Sequence, residues 1–166
     1  MKPRLYIFSG LPATGKSTLA KLLAQKISGA YLRIDTIEQG LRDLCSCDVQ
    51  GEGYRLAYRI AADNLKSGIH VIADSCNPWV LTRNEWEHAA VENGADFINI
   101  EIVCSDTVEH QKRAERRTNE IAGLTLPRWE DIQKRVYHPW HKEIIRLDTA
   151  GKRIQESFDF LMRMIN

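Results

Sequence analysis

Residues 10–17, Gly10-Leu11-Pro12-Ala13-Thr14-Gly15-Lys16-Ser17, fill the pattern G-x-x-x-x-G-K-[ST] at every defined position. Such a loop works only between a strand and a helix. Its glycines let the backbone curl until successive N–H groups point inward, and the helix that follows adds its positive end. Both flanks are present. Leu5-Tyr6-Ile7-Phe8 is a short apolar run of the kind carried by a strand buried on both faces. Residues 16–28 then place Leu19, Leu22, Leu23 and Ile27 at helical spacing. Gly10, Pro12, Ala13, Thr14 and Gly15 are therefore expected to wrap the phosphates of a nucleotide. Lys16 would reach the outer phosphates, the Ser17 hydroxyl a Mg²⁺ ion, and Thr18 the inner phosphate.

The alternation of strand and helix continues along the chain. Residues 31–34 read as a second strand leading into a helix at about 36–44, and a further helix covers about 54–66, closed by Gly68. Residues 69–73 form a third strand. The next helix is capped by Thr82 or Asn84 and ends near Asn93-Gly94. A fourth strand spans 97–103, and a helix runs from Asp106 to about Thr118. Residues 119–139 are polar and broken by Gly123, Pro127 and Pro139, the composition of a mobile excursion. Ile144, Ile145 and Leu147 mark a fifth strand, and Ile154, Phe158, Leu161, Met162 and Ile165 stripe a last helix. The pattern predicts one α/β domain over residues 1–166, a parallel sheet covered on both faces. Ligands of such sheets bind beyond the carboxyl ends of the strands.

Two carboxylates fall at that edge. Asp74 ends the apolar run Val71-Ile72-Ala73, as a Walker B residue does when it holds Mg²⁺ directly or through water. Asp35 follows the second strand, where a carboxylate can orient an acceptor hydroxyl and take its proton. Asp is also a common N-cap, and Thr36 with Glu38 supports a helix start at Asp35 whatever its chemistry. From sequence the two roles could also be exchanged. Arg113, Arg116 and Arg117, at i, i+3 and i+4, are expected to share one helix face and to supply at least one arginine that clamps transferring phosphates. The bland counterpart is a solvated face in which Glu109 pairs with Arg113.

Other signals narrow the function. Twenty-three Lys and Arg against twenty-two Asp and Glu leave a net charge of +1, so no strong field attracts nucleic acid or an anionic membrane. The N-terminal apolar run is too short for a signal peptide, and no stretch is long enough to cross a bilayer, so a soluble cytoplasmic protein is expected. Cys45, Cys47, Cys76 and Cys104 form no CxxC pair, and the histidines show no metal-ligand spacing. Asp148-Thr149-Ala150-Gly151 resembles a GTPase switch, but no N-K-x-D follows to read guanine. It reads instead as the turn after strand five, where Gly151 and Arg153 become base-contact candidates. Among the aromatics, Trp79 lies just past Asp74 on the acceptor side, with Arg42 a further candidate there, and the other tryptophans are expected to pack.

Together GLPATGKST, Asp35, VIADS, RAERR and IIRLDTA make nearly the whole chain resemble the P-loop kinases that include shikimate, gluconate and adenylylsulfate kinases, chloramphenicol phosphotransferase and polynucleotide kinase. It is most similar to the AAA-type predicted kinases related to them, and more distantly to zeta toxins. The resemblance implies a five-stranded parallel sheet in the order 2-3-1-4-5 and a lid at about 117–128. It implies Asp35 on the acceptor side, and Arg113 and Arg117 as sensor and lid arginines acting beside Lys16. Two positions depart from the relatives. Glu38 stands where polynucleotide kinases carry an arginine, and Arg33 where shikimate kinases carry an aspartate. The expected activity is transfer of the ATP γ-phosphoryl group to a hydroxyl of a small molecule. A polynucleotide or nucleoside 5′-hydroxyl kinase and a non-catalytic ATP-binding protein are the alternatives.

Overall fold

The computed structural model describes residues 2–165. Five strands, β1 (Arg4–Ser9), β2 (Ala30–Arg33), β3 (Val71–Asp74), β4 (Asp96–Val103) and β5 (Ile145–Asp148), form one sheet in the order β2-β3-β1-β4-β5. Every pairing is parallel. Strand order and direction are those expected from the resemblance.

Alternation along β1 explains the layers. Tyr6 and Phe8 face one side, where they pack with Leu19 and Leu23 of α1 (Lys16–Ile27) and Phe158 and Leu161 of α7 (Ile154–Ile165). Leu5 and Ile7 face the other, against α2 (Ile34–Cys45), α3 (Glu52–Lys66) and α4 (Val80–Glu92) through Ile34, Ala61, Leu65 and Trp86. A strand buried on both faces needs an apolar run, which Leu5–Phe8 gives β1 and Val71–Ala73 gives β3. Among the described residues no helix is long and apolar enough to cross a membrane.

Register carries the fold to the site. Phe8 of β1 and Arg33 of β2 both pair with Asp74, and Val103 pairs with Asp148, so the strands end together at one edge.

Three boundaries differ from the sequence expectation. Helix α2 starts at Ile34, which puts Asp35 inside its first turn. Helix α4 starts at Val80, not at a Thr82 or Asn84 cap, and the Thr82 hydroxyl bonds back to the Trp79 carbonyl. Helix α5 (Thr107–Arg116) stops before Arg117, whose backbone is extended, so Arg117 is not on the helix face with Arg113. The excursion also contains a short helix, α6 (Trp129–Gln133), anchored by fully buried Ile132 and by Trp129 packed edge-on against His110.

Candidate active site

The phosphate loop is held from outside by its carbonyls. His110 Nε2 lies 2.8 Å from the Pro12 carbonyl, and the Thr149 hydroxyl donates to that of Thr14 at 2.8 Å. A trans peptide points its N–H opposite its C=O, so the N–H groups of Ala13 and Gly15 turn to the other side, toward the cleft. Glycine is required at the loop's entry. At φ +141°, a Cβ on Gly10 would sit 2.2 Å from the Ile102 carbonyl oxygen. Thr14 is buried with its hydroxyl on Leu11, so it shapes the loop, while Ser17 and Thr18 line the open side.

Asp74 lies beneath this loop, 2% exposed, with Lys16 Nζ at 2.9 Å and the Tyr31 hydroxyl at 2.6 Å. Burial alone would push its pKa up, but the Lys16 charge and hydrogen bonds from Tyr31 and Ser17 outweigh it and hold the carboxyl low. For Lys16, burial lowers the pKa while Asp74 raises it, and the rise wins. Ser17 and Asp74 are thus neighbours, the oxygen pair a phosphate-bound Mg²⁺ takes from a protein. Among the described residues no cluster of three or more His, Cys, Asp or Glu side chains could hold a metal.

The basic patch divides. Lys112 and Arg116 are exposed, whereas Arg113 and Arg117 turn inward to a cavity of about 330 Å³ beside Gly15 and Thr18. Arg113 pairs with Glu109 at 2.5 Å and also donates to the Thr149 hydroxyl and carbonyl at 2.8 and 3.0 Å. The bland ion pair and the inward position therefore coexist. Lys152 and Ile154 line this cavity. Gly151 instead donates its N–H to Glu109, and Arg153 is 84% exposed and paired with Glu156.

On the opposite side, Asp35 lines two neighbouring spaces. One, about 230 Å³, also contacts Lys16, Ser17, Arg33, Arg42 and Arg117. The other is a chamber of about 820 Å³ walled by Tyr54, Tyr58, Trp79 and Val136. Sequence reasoning missed Arg33, Tyr31, Thr149, His110 and Arg135 as site residues.

Arg83 holds the chamber's outer wall. Its guanidinium is buried, donates to the carbonyls of Asn77, His138 and Pro139, and lies 3.9 Å from the Trp140 ring centre and 4.8 Å from that of Tyr137. This ties residues 135–140 to the loop bearing Trp79. Removing Arg83 strips donors from these carbonyls and from that of Pro78, four in all, so Arg83→Ala is expected to cost about 3 kcal/mol. In a domain of this size that lowers Tm by roughly 6–12 °C, as calorimetry would record. An unchanged Tm would show that the wall stands without it.

The strand order, the loop after β1 and the carboxylate ending β3 define a P-loop nucleotide-binding protein. The chain belongs to the AAA domain family, whose model matches residues 5–139. No curated protein matches it in sequence. Among solved structures it is similar to the APS kinase CysC of Mycobacterium tuberculosis in complex with AMPPNP and APS, at 18% identity and a TM-score of 0.70 over 99% of this chain and 98% of that one. A gluconokinase from Sinorhizobium meliloti 1021 aligns at 14% identity and 0.62, covering 98% and 94%. Kti12 of Chaetomium thermophilum in complex with ADP-AlF3 aligns at 20% identity and 0.68, covering 98% and 99%. These likenesses are of fold.

Proposed function

We propose that this protein is an ATP-dependent phosphotransferase that moves the γ-phosphoryl group to a hydroxyl of a small molecule. The observation that carries the reading is Asp35, which borders both the space beside Lys16 and Ser17 and the larger chamber behind it. A protein that only bound nucleotide would not need a second chamber with a carboxylate at its mouth. The similarity to an APS kinase holding AMPPNP and APS supports the same division into nucleotide and acceptor sides.

In this reading the loop N–H groups, Lys16 and Thr18 bind the ATP phosphates, and the base rests in the cavity lined by Arg113, Lys152 and Ile154. Ser17 and Asp74 would hold Mg²⁺, which would supply positive charge against the phosphates. Asp35 accepts a hydrogen bond from the acceptor hydroxyl and aligns it with the terminal phosphorus. Lys16 and Arg117 face the same space and stabilise charge on the transferring group. The test is Mg-ATP turnover followed by ADP release, with and without candidate alcohols. Acceptor-stimulated release supports transfer, whereas tight ATP binding that no alcohol stimulates would identify a binding protein.

Residues 117–128 serve as a lid. Arg117 donates to the Pro127 carbonyl at 3.1 Å and closes the segment's base, while Glu120 pairs with Lys21 at 2.5 Å and Arg33 at 2.9 Å. Arg33 also approaches Asp74 at 4.0 Å, which links the lid to the phosphate side. Amides of residues 119–128 are expected to exchange rapidly in the free protein and at least several-fold more slowly with nucleotide and acceptor. Mass-spectrometric exchange with identical rates in both states would remove the lid from the scheme.

A further inference from the structure

Charge and apolar surface are sorted between the two spaces that meet at Asp35. The smaller space collects the cations Lys16, Arg33, Arg42, Arg117 and Arg135 against the carboxylates Asp35 and Glu38, a positive balance suited to phosphate oxygens. Of these cations Arg135 alone also lines the larger chamber. Its charged lining is Asp35, Glu38 and Glu85 against Arg55 and Arg135, and Glu38 is also paired with Arg42 at 3.4 Å, so no excess of cations awaits an anion there. Four neutral polar side chains of its wall each already make a hydrogen bond within the protein. The Tyr54 hydroxyl accepts the Asn77 N–H at 3.1 Å, the Tyr58 hydroxyl donates to the Thr82 carbonyl at 3.3 Å, and the Thr82 hydroxyl donates to Trp79 at 3.0 Å. The Gln50 amide donates to Asp48 at 3.3 Å. These residues therefore offer a ligand mainly aromatic ring and hydrocarbon, joined by Trp79, Leu81 and Val136.

We infer that the acceptor is an uncharged or cationic alcohol with a flat apolar body, which lies in the chamber while its hydroxyl reaches Asp35. The inference rests on the phosphotransferase reading and specifies its acceptor. Three physical arguments support the class. A space of about 820 Å³ falls in the upper range of pockets that enclose drug-sized ligands. Aromatic walls reward a ring, through area and stacking. A polyhydroxylated sugar would set several of its hydroxyls against the rings and hydrocarbon of Tyr54, Tyr58, Trp79, Leu81 and Val136, and an unpaired buried polar group is costly. A carboxylate or phosphodiester body would add negative charge beside Asp35, Glu38 and Glu85. In transfer, the acceptor oxygen forms a bond to the γ-phosphorus as the bond to the bridging ATP oxygen breaks. ADP leaves, and the hydroxyl proton passes to Asp35 or to water.

The experiment uses three primary alcohols on one naphthyl skeleton, identical except for a neutral, an ammonium or a carboxylate substituent. Binding to the full chain with Mg-AMPPNP is measured by calorimetry, and ADP release with Mg-ATP is followed in parallel, with gluconate and a 5′-hydroxyl oligonucleotide as further arms. The neutral and ammonium alcohols are expected to bind at least ~10-fold more tightly than the carboxylate. Trp79→Ala should weaken the neutral alcohol ~5-fold or more, by loss of stacking area. Glu85→Lys should shift preference from the ammonium toward the carboxylate alcohol. The inference is overturned if the carboxylate alcohol, gluconate or the oligonucleotide binds most tightly, or if none of the naphthyl alcohols binds. If they bind in the expected order but no acceptor raises ADP release, the chamber's selectivity stands and the phosphotransferase reading fails.

Discussion

Replacing Lys16 with alanine is expected to lower phosphoryl transfer by ~10²–10³-fold or more, the usual scale for removing a cation or donor aimed at developing charge. It should also weaken Mg-ATP binding. The substitution carries a second consequence, because Lys16 is the partner of a buried carboxylate. Without it, Asp74 retains the Tyr31 hydroxyl and the more distant Arg33, but loses the charge 2.9 Å away. Removing one member of a buried pair costs about 3–5 kcal/mol when nothing else compensates, so the domain should fold with a lowered Tm.

The pH dependence has a definite sign. A carboxyl held below its unfolded pKa, about 3.9 for Asp, stabilises the fold above that value and loses the contribution as pH falls through the folded pKa. In Lys16→Ala the opposing burial effect is freed and Asp74 moves up. The stability gap between wild type and variant is therefore widest near neutrality and narrows on acidification. Calorimetry across pH 3–8 reads the gap, and titration with Mg-ATP reads affinity. Unchanged affinity and turnover in the variant would remove Lys16, and with it the phosphate loop, from the proposed chemistry.

What was legible in the chain was what is local. Gly10 and Gly15 announce positive φ within eight residues of sequence, and Asp74 is recognisable because an apolar strand ends on it. Contacts between distant segments left no such mark. Thr149 binds both the loop carbonyl of Thr14 and the guanidinium of Arg113, yet in sequence it was only the middle of a switch-like turn. Tyr31 reads in sequence as an ordinary member of β2 and Arg33 only as a departure from shikimate kinases, and it is register that sets Arg33 opposite Asp74. Turn geometry is equally hidden. Gly151 and Arg153 are the base-contact candidates in the sequence, whereas the turn lines the cavity with their neighbours Lys152 and Ile154, and Arg153 finds Glu156 at i, i+3. Arg117 was assigned through helical spacing, and it comes to line the site from outside the helix. Arg83 is inconspicuous on α4 in the sequence, because its partners His138 and Pro139 lie 55 and 56 residues away, in the segment that the sequence marks only as broken by proline.

The separation of roles between Asp35 and Asp74 has the clearest expected outcome in kinetics. Their surroundings differ as their proposed tasks do. Asp74 is buried under the loop in contact with Lys16 and Tyr31 and beside Ser17, where an oxygen can serve a cation held against phosphates. Asp35 is exposed in the first turn of α2 and borders both the phosphate side and the chamber, where an oxygen can serve a hydroxyl. Asp35→Asn keeps the shape and retains a carbonyl that can accept a weak hydrogen bond, but it loses the charge and the basicity. Transfer should fall ~100-fold or more, a common scale for losing general-base help, while Mg-ATP affinity stays close to wild type. Asp74→Asn removes a charge that would favour Mg²⁺, so its turnover should recover toward wild type as Mg²⁺ is raised. It also leaves Lys16 buried beside an amide, so this variant should lose stability where Asp35→Asn does not. Measuring kcat against Mg²⁺ concentration for both variants, with Tm alongside, separates the assignments. Rescue of Asp35→Asn by excess Mg²⁺, with Asp74→Asn indifferent to it, would exchange the two roles.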